Sequence, residues 1–232
     1  MLKYPKLLYY LFYRPKIFFP KKSYSIFGED KFIQNYFRNE SKGFYIDVGG
    51  YHPLDGNNTH LLYKKGWNGL NFDINLYSIK LFNFLRKRDL NIHSGISNKK
   101  IKLTMYYRKE INMLNTLEEH IAKIHFKNGY KKRSIKVNTL NFFISKNFKE
   151  LKKIDFINID VEGGELDVLK SLNFKRYKPQ LVCIEIHNTK NMYDTNYKYL
   201  KSNKVYNYLA NRNYKVVWKR KYSFIFEKIN NV

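Results

Sequence analysis

Apolar and polar positions change period repeatedly along these 232 residues. Phe32, Ile33, Tyr36 and Phe37 recur at helical spacing, so a helix is predicted to open within residues 25–30. Glu29 and Asp30 then fall in its first turn, where the helix dipole favours carboxylates. Phe44–Val48 reads as a buried strand carrying Asp47, and Gly49 and Gly50 follow it. Two glycines there let the backbone turn tightly and let a ligand approach it, at the sheet edge where open α/β folds bind ligands. Asn57, Asn58 and Thr59 read as a cap for a helix over 60–65 that Gly66 closes. Residues 69–73 form the next strand, ending on Asp73, and Ile79, Phe82 and Leu85 give one apolar face to a helix over 78–88 that Asn75 caps.

Residues 90–97 read as a third strand and 101–105 as an alternating edge run. Between 108 and 134 the pattern weakens. A helix fits 117–126, the basic Lys131-Lys132-Arg133 reads as a solvated loop, and this interval is expected to shape acceptor specificity. A strand over 134–140 and a short helix over 141–146 lead to a second buried strand, 154–160, ending on Asp160. A helix through Glu165, Val168 and Leu169, a strand over 180–186, a helix over 197–211 and a hairpin of 215–218 with 223–227 complete the chain. Strands alternating with helices, then an antiparallel pair, describe a doubly wound α/β sheet, mostly parallel with a C-terminal antiparallel hairpin. We expect residues 1–24 as an appendage and 25–232 as the domain.

Composition changes this picture in three places. Hydrophobic residues at 44% and aromatics at 18% exclude a disordered chain. The net charge of +25, from 44 Lys+Arg against 19 Asp+Glu, invites a nucleic-acid or anionic-membrane partner, but the lysines are spread throughout the chain rather than blocked together. Cys183 is the single cysteine and sits in the apolar run Leu181-Val182-Cys183-Ile184, so it reads as packing, and a reducing, cytoplasmic setting is the simpler expectation. Residues 1–22 interleave aromatics with Lys3, Lys6, Arg14 and Lys16, lack a small-residue cleavage site and are too short in apolar run to span a bilayer. They read either as a strap on the domain or as a peripheral contact with anionic lipid at the inner membrane face.

Six stretches then stand in a telling order: SIFGED at 25–30, FYIDVGGYHP at 44–53, NTHLLYKKGWNG at 58–69, Asp73-Ile74-Asn75, DFINIDVEGGELDVL at 155–169 and IEIH at 184–187. Together the set resembles the FkbM-type S-adenosylmethionine-dependent methyltransferases. The resemblance implies a class I methyltransferase, Rossmann-like fold with a seven-stranded sheet. It implies that Asp47, Gly49 and Gly50 line the methionine end of the cofactor, that Asp73 binds the ribose hydroxyls, and that Ile96 and Ser97 lie near adenine. Asp160, Glu162 and His187 would face the methyl group and the acceptor. The chain departs from the family pattern at Asp73, where glutamate is usual, and at Gly50, where alanine is common.

The residues themselves are compatible with this chemistry. Asp73 lies 26 positions after Asp47, near the spacing of about 20 at which nucleotide-binding units place an acid on ribose. Asp160 and His187 are candidate bases at strand ends, with a helix cap the structural alternative for Asp160 and a packed histidine that for His187. Asp160, Glu162, Glu165, Glu185 and His187 can also be read as ligands for a hard divalent cation, although their spacing fixes no geometry and the acid/base reading is preferred. The expected activity is O-methylation of a sugar or another small hydroxylated acceptor. The alternatives are an RNA methyltransferase or a non-catalytic membrane or nucleic-acid adaptor that kept the fold.

Overall fold

The computed structural model describes residues 21–187 and 197–229, with Pro5, Tyr9 and Phe19. The expectations for residues 1–20, 188–196 and 230–232 therefore fall largely outside the described residues. A helix, α1 (Glu29–Tyr36), precedes β1 (Phe44–Val48), α2 (His60–Lys64), β2 (Asn68–Asp73), α3 (Leu76–Leu85) and β3 (Leu90–His93). Then come β4 (Gly95–Ile96), β5 (Ile101–Tyr107), α4 (Glu119–His125), β6 (Lys131–Asn138) and α5 (Leu140–Asn147). The second half holds β7 (Phe156–Ile159), α6 (Glu165–Lys170), α7 (Phe174–Tyr177), β8 (Leu181–Glu185), α8 (Tyr197–Ser202), α9 (Lys204–Ala210), β9 (Tyr214–Arg220) and β10 (Ser223–Lys228).

Seven strands form one sheet in the order β3-β2-β1-β7-β8-β10-β9. The pairs from β3 to β8 are parallel, and β10 runs antiparallel to both β8 and β9, as the pattern predicts. From β1 the chain moves outward to β2 and β3, then returns to β1's other side with β7. A crevice at the carboxyl ends of β1 and β7 follows from that reversal. Buried side chains alternate between the two faces of the strands: Ile46, Val48, Ile157, Ile159, Val182 and Ile184 pack with α5 and α6 residues such as Leu140 and Val168. Tyr45, Phe156, Leu181 and Cys183 face Ile33, Phe37 and Trp67 on the other side. Cys183 is thus a packing residue, and burial raises its thiol pKa well above the usual range.

Four expectations need correction. The strand expected over 90–97 breaks at Ser94, whose N–H turns back to the carbonyls of Asp73 and Ile92. Beyond the break, β4 joins a separate three-stranded sheet, β4-β6-β5. Lys131-Lys132-Arg133 is the exposed start of β6 rather than a loop, paired with Met105, Tyr106 and Tyr107 of β5. The helix expected over 197–211 is two helices, because Asn203 accepts from the N–H groups of Val205 and Tyr206 and starts α9 afresh. Finally, Thr59 makes no side-chain cap on α2. Asn57 and Thr59 are drawn instead to Asp47.

Candidate active site

β1 delivers Asp47 to the end of the sheet but not to open space. The side chain is fully buried, accepting from Asn57 Nδ2 at 3.1 Å, Thr59 Oγ1 at 2.9 Å and Asn158 Nδ2 at 2.9 Å. Arg86 lies behind that cluster, also fully buried, and donates to Thr59 Oγ1, Asn57 Oδ1 and the Pro53 carbonyl. A carboxylate in apolar surroundings is tolerable only with such partners. Asp47, expected to line the cofactor cleft, lies outside the cleft wall, where it ties the loop after β1 to β7.

Gly49 takes φ +85°, and a Cβ there would lie 1.7 Å from the carbonyl oxygen of Asp160. The glycine lets the loops after β1 and β7 touch, and at that seam both Gly49 and Asp160 line a cleft of about 580 Å³, solvent mouth included. Gly50 stands outside the wall, packed beneath Phe82, with its N–H on the Phe72 carbonyl. Ser97 is likewise outside: it is buried where its N–H meets the Asn138 carbonyl. Ile96 is in the wall, beside Ser94 and Gly95.

Asp73 lies at the mouth of β2. Its Oδ2 accepts from the Tyr51 N–H at 2.8 Å and its Oδ1 from the Asn75 N–H at 2.6 Å. Each oxygen keeps a further lone pair, and the carboxylate lines the cleft. Burial raises its pKa to about 7 against the lowering effect of those two donors. Asn75 rather than Asp73 caps α3, accepting from the Tyr77 N–H at 3.0 Å.

Asp160 belongs to the cleft and to a second group beside it. Ligand oxygens of Asp160, Glu162 and Glu185 all lie within 4.8 Å of one another, close enough to hold a hard cation. His187 Nε2 is 2.8 Å from Glu185 Oε2, and His125 Nε2 is 3.8 Å from Glu162 Oε2. Burial raises Asp160 well above the carboxylate range, reinforced by Glu185 and Glu162. Burial also raises Glu162 to about 7, with His187 opposing. Glu185 is raised by burial and by Glu162 and Glu165. Glu162 and His187 are not part of the cleft wall, so the predicted catalytic trio is divided, with Asp160 shared between the two groups. Asp160 does not cap α6: that helix begins after Gly164, which provides no side-chain cap.

The roof was only a region in the sequence. Residues after β5 fold back so that Thr116 exchanges two backbone hydrogen bonds with Tyr106, and Thr116 Oγ1 donates to the Glu162 carbonyl at 2.7 Å. This sets Asn112, Met113, Asn115 and Leu117 over the cleft. Their signal was faint, since no period marks a segment held by turns.

Among comparisons with known proteins, the crystal structure of a TehB-like SAM-dependent methyltransferase from Corynebacterium glutamicum aligns with a TM-score of 0.41 and 12% identity. The alignment covers 88% of this chain and 89% of that one. No curated protein matches the chain. A family model, the methyltransferase FkbM domain, matches residues 47–216, a span that holds Asp73, Asp160, the roof and His187. With the sheet order and cleft described above, that match places the chain in the FkbM methyltransferase domain family.

Proposed function

We propose that this methyltransferase uses S-adenosylmethionine and methylates a hydroxyl oxygen of a sugar or another small hydroxylated acceptor. The observation that carries the reading is Asp73, a cleft carboxylate held by two backbone donors with lone pairs left for a pair of neighbouring hydroxyls. The residues present fit the donor. Asp73 suits its ribose, and Ile74, Ile96 and Leu117 offer apolar surface to its base. When bound, the donor supplies an electrophilic methyl group on a sulfonium.

The chain's own task is then positioning and proton removal. A hydroxyl is a poor nucleophile until its proton leaves, which is why a base group beside the cleft favours an oxygen acceptor over an amine with a free lone pair. Asp160 is the member of the trio in the cleft wall and is the group that takes the proton, with Glu185, which engages Nε2 of His187, beside it. Glu162, with its pKa raised to about 7, has an oxygen within 4.8 Å of both Asp160 and Glu185.

The test is transfer of labelled methyl from S-adenosylmethionine to a panel of sugars and glycosides. Hydroxyl-dependent labelling is expected, with kcat reduced at least about 100-fold in Asp160→Asn. Labelling of RNA but of no sugar would discard the small-acceptor reading.

A further inference from the structure

Asn115 is only 7% exposed, lines the cleft and has an amide oxygen with no hydrogen-bond partner. A buried, unsatisfied carbonyl is costly unless something completes it. The amide is not free to reorient, because its Nδ2 donates to the Lys109 carbonyl at 3.3 Å. The backbone that carries it is fixed as well: the Asn115 N–H meets the Asn112 carbonyl, and the next residue, Thr116, is bonded to both Tyr106 and Glu162. Its neighbours Met113 and Leu117 are apolar, and the oxygen of the other amide in the roof, that of Asn112, already accepts from the Leu114 N–H.

We infer that Asn115 is a specificity residue of the donor pocket, whose Oδ1 accepts a hydrogen bond from the exocyclic amine of the donor's adenine. The inference rests on the S-adenosylmethionine reading above. It moves part of the interval 108–134 from the acceptor side, where sequence alone assigned it, to the donor side. A fixed acceptor reads one feature only. Adenine presents an N–H there, whereas hypoxanthine presents a second oxygen, and turning the amide to meet it would break the bond to Lys109. Sites built around a hydrogen bond reject analogues that lack its partner far more strongly than apolar pockets do.

The experiment titrates the full chain calorimetrically with S-adenosylhomocysteine and with S-inosylhomocysteine. The unaltered protein is expected to prefer the adenine compound by at least about tenfold. Asn115→Leu should weaken that compound about tenfold without weakening the inosine one, so that discrimination collapses. Equal affinity of the unaltered protein for both compounds overturns the inference, and so does equal weakening of both in the variant, the behaviour of a residue that merely holds the turn. Failure of the unaltered protein to bind either compound defeats the donor reading and this inference with it.

Discussion

At position 73 a side chain one methylene shorter than the family's usual glutamate still reaches the cleft, because the backbone N–H groups of Tyr51 and Asn75 hold it there. Its pKa of about 7 sets a direction with pH. The carboxyl is neutral below that value and ionised above it, and ribose hydroxyls donate best to the ionised form. Donor affinity should therefore rise as pH goes from 6 to 8, and a calorimetric series would show that slope flattened in Asp73→Asn. For folding the sign is opposite. The folded pKa lies above the unfolded value of about 4, so the stabilising contribution is full below pH 4 and is lost as pH rises through about 7. Gly49 makes a separate claim. A methyl group there meets the Asp160 carbonyl in a backbone conformation already at φ +85°. Gly49→Ala should cost more than about 3 kcal/mol in urea unfolding, and an unchanged midpoint would contradict the seam between the two loops.

Among the elements, those with a period of their own were legible in the sequence. The strands bearing Asp47, Asp73 and Asp160 stood out because each is a short apolar run ending beside a turn, and strand ends in such sheets meet at one edge. Which carboxylate faces the cleft was not legible. Asp47 is covered by Asn57, Thr59 and Asn158, the last 111 positions away, and nothing local announces that arrangement. The roof escaped for the same reason: Thr116 is placed by bonds to β5 and to the loop after β7, not by pattern. The end of α3 shows how such long-range ties carry stability. Arg86 and Asp89 are fully buried side chains 3.9 Å apart, and Arg86 also clamps the loop that holds Asp47. Arg86→Met should destabilise by about 3–5 kcal/mol, since it strands Asp89 without its cation. Adding Asp89→Asn should restore part of that loss in thermal unfolding, and strict additivity of the two changes would contradict a shared network.

Over the whole molecule, the charge of +25 contrasts with a cleft whose wall carries Asp73 and Asp160, with Glu162 and Glu185 grouped beside Asp160. The cations therefore lie elsewhere. No helix among the described residues is long and apolar enough to cross a membrane. We propose that residues 1–22, with their interleaved aromatics and lysines, make a peripheral contact with anionic lipid. The full chain should pellet with phosphatidylserine vesicles at low salt and be released near 1 M salt, where screening shortens to about 3 Å. Equal pelleting with neutral vesicles would contradict an electrostatic contact. The central claim is that the cleft at the β1–β7 seam holds a methyl donor on Asp73, and calorimetric titration of the full chain with S-adenosylmethionine at pH 8 tests it most directly. The account predicts one-site binding in the micromolar range, weakened at least about tenfold in Asp73→Asn. An absence of binding heat, or an Asp73→Asn titration that overlays that of the unaltered chain, would contradict it.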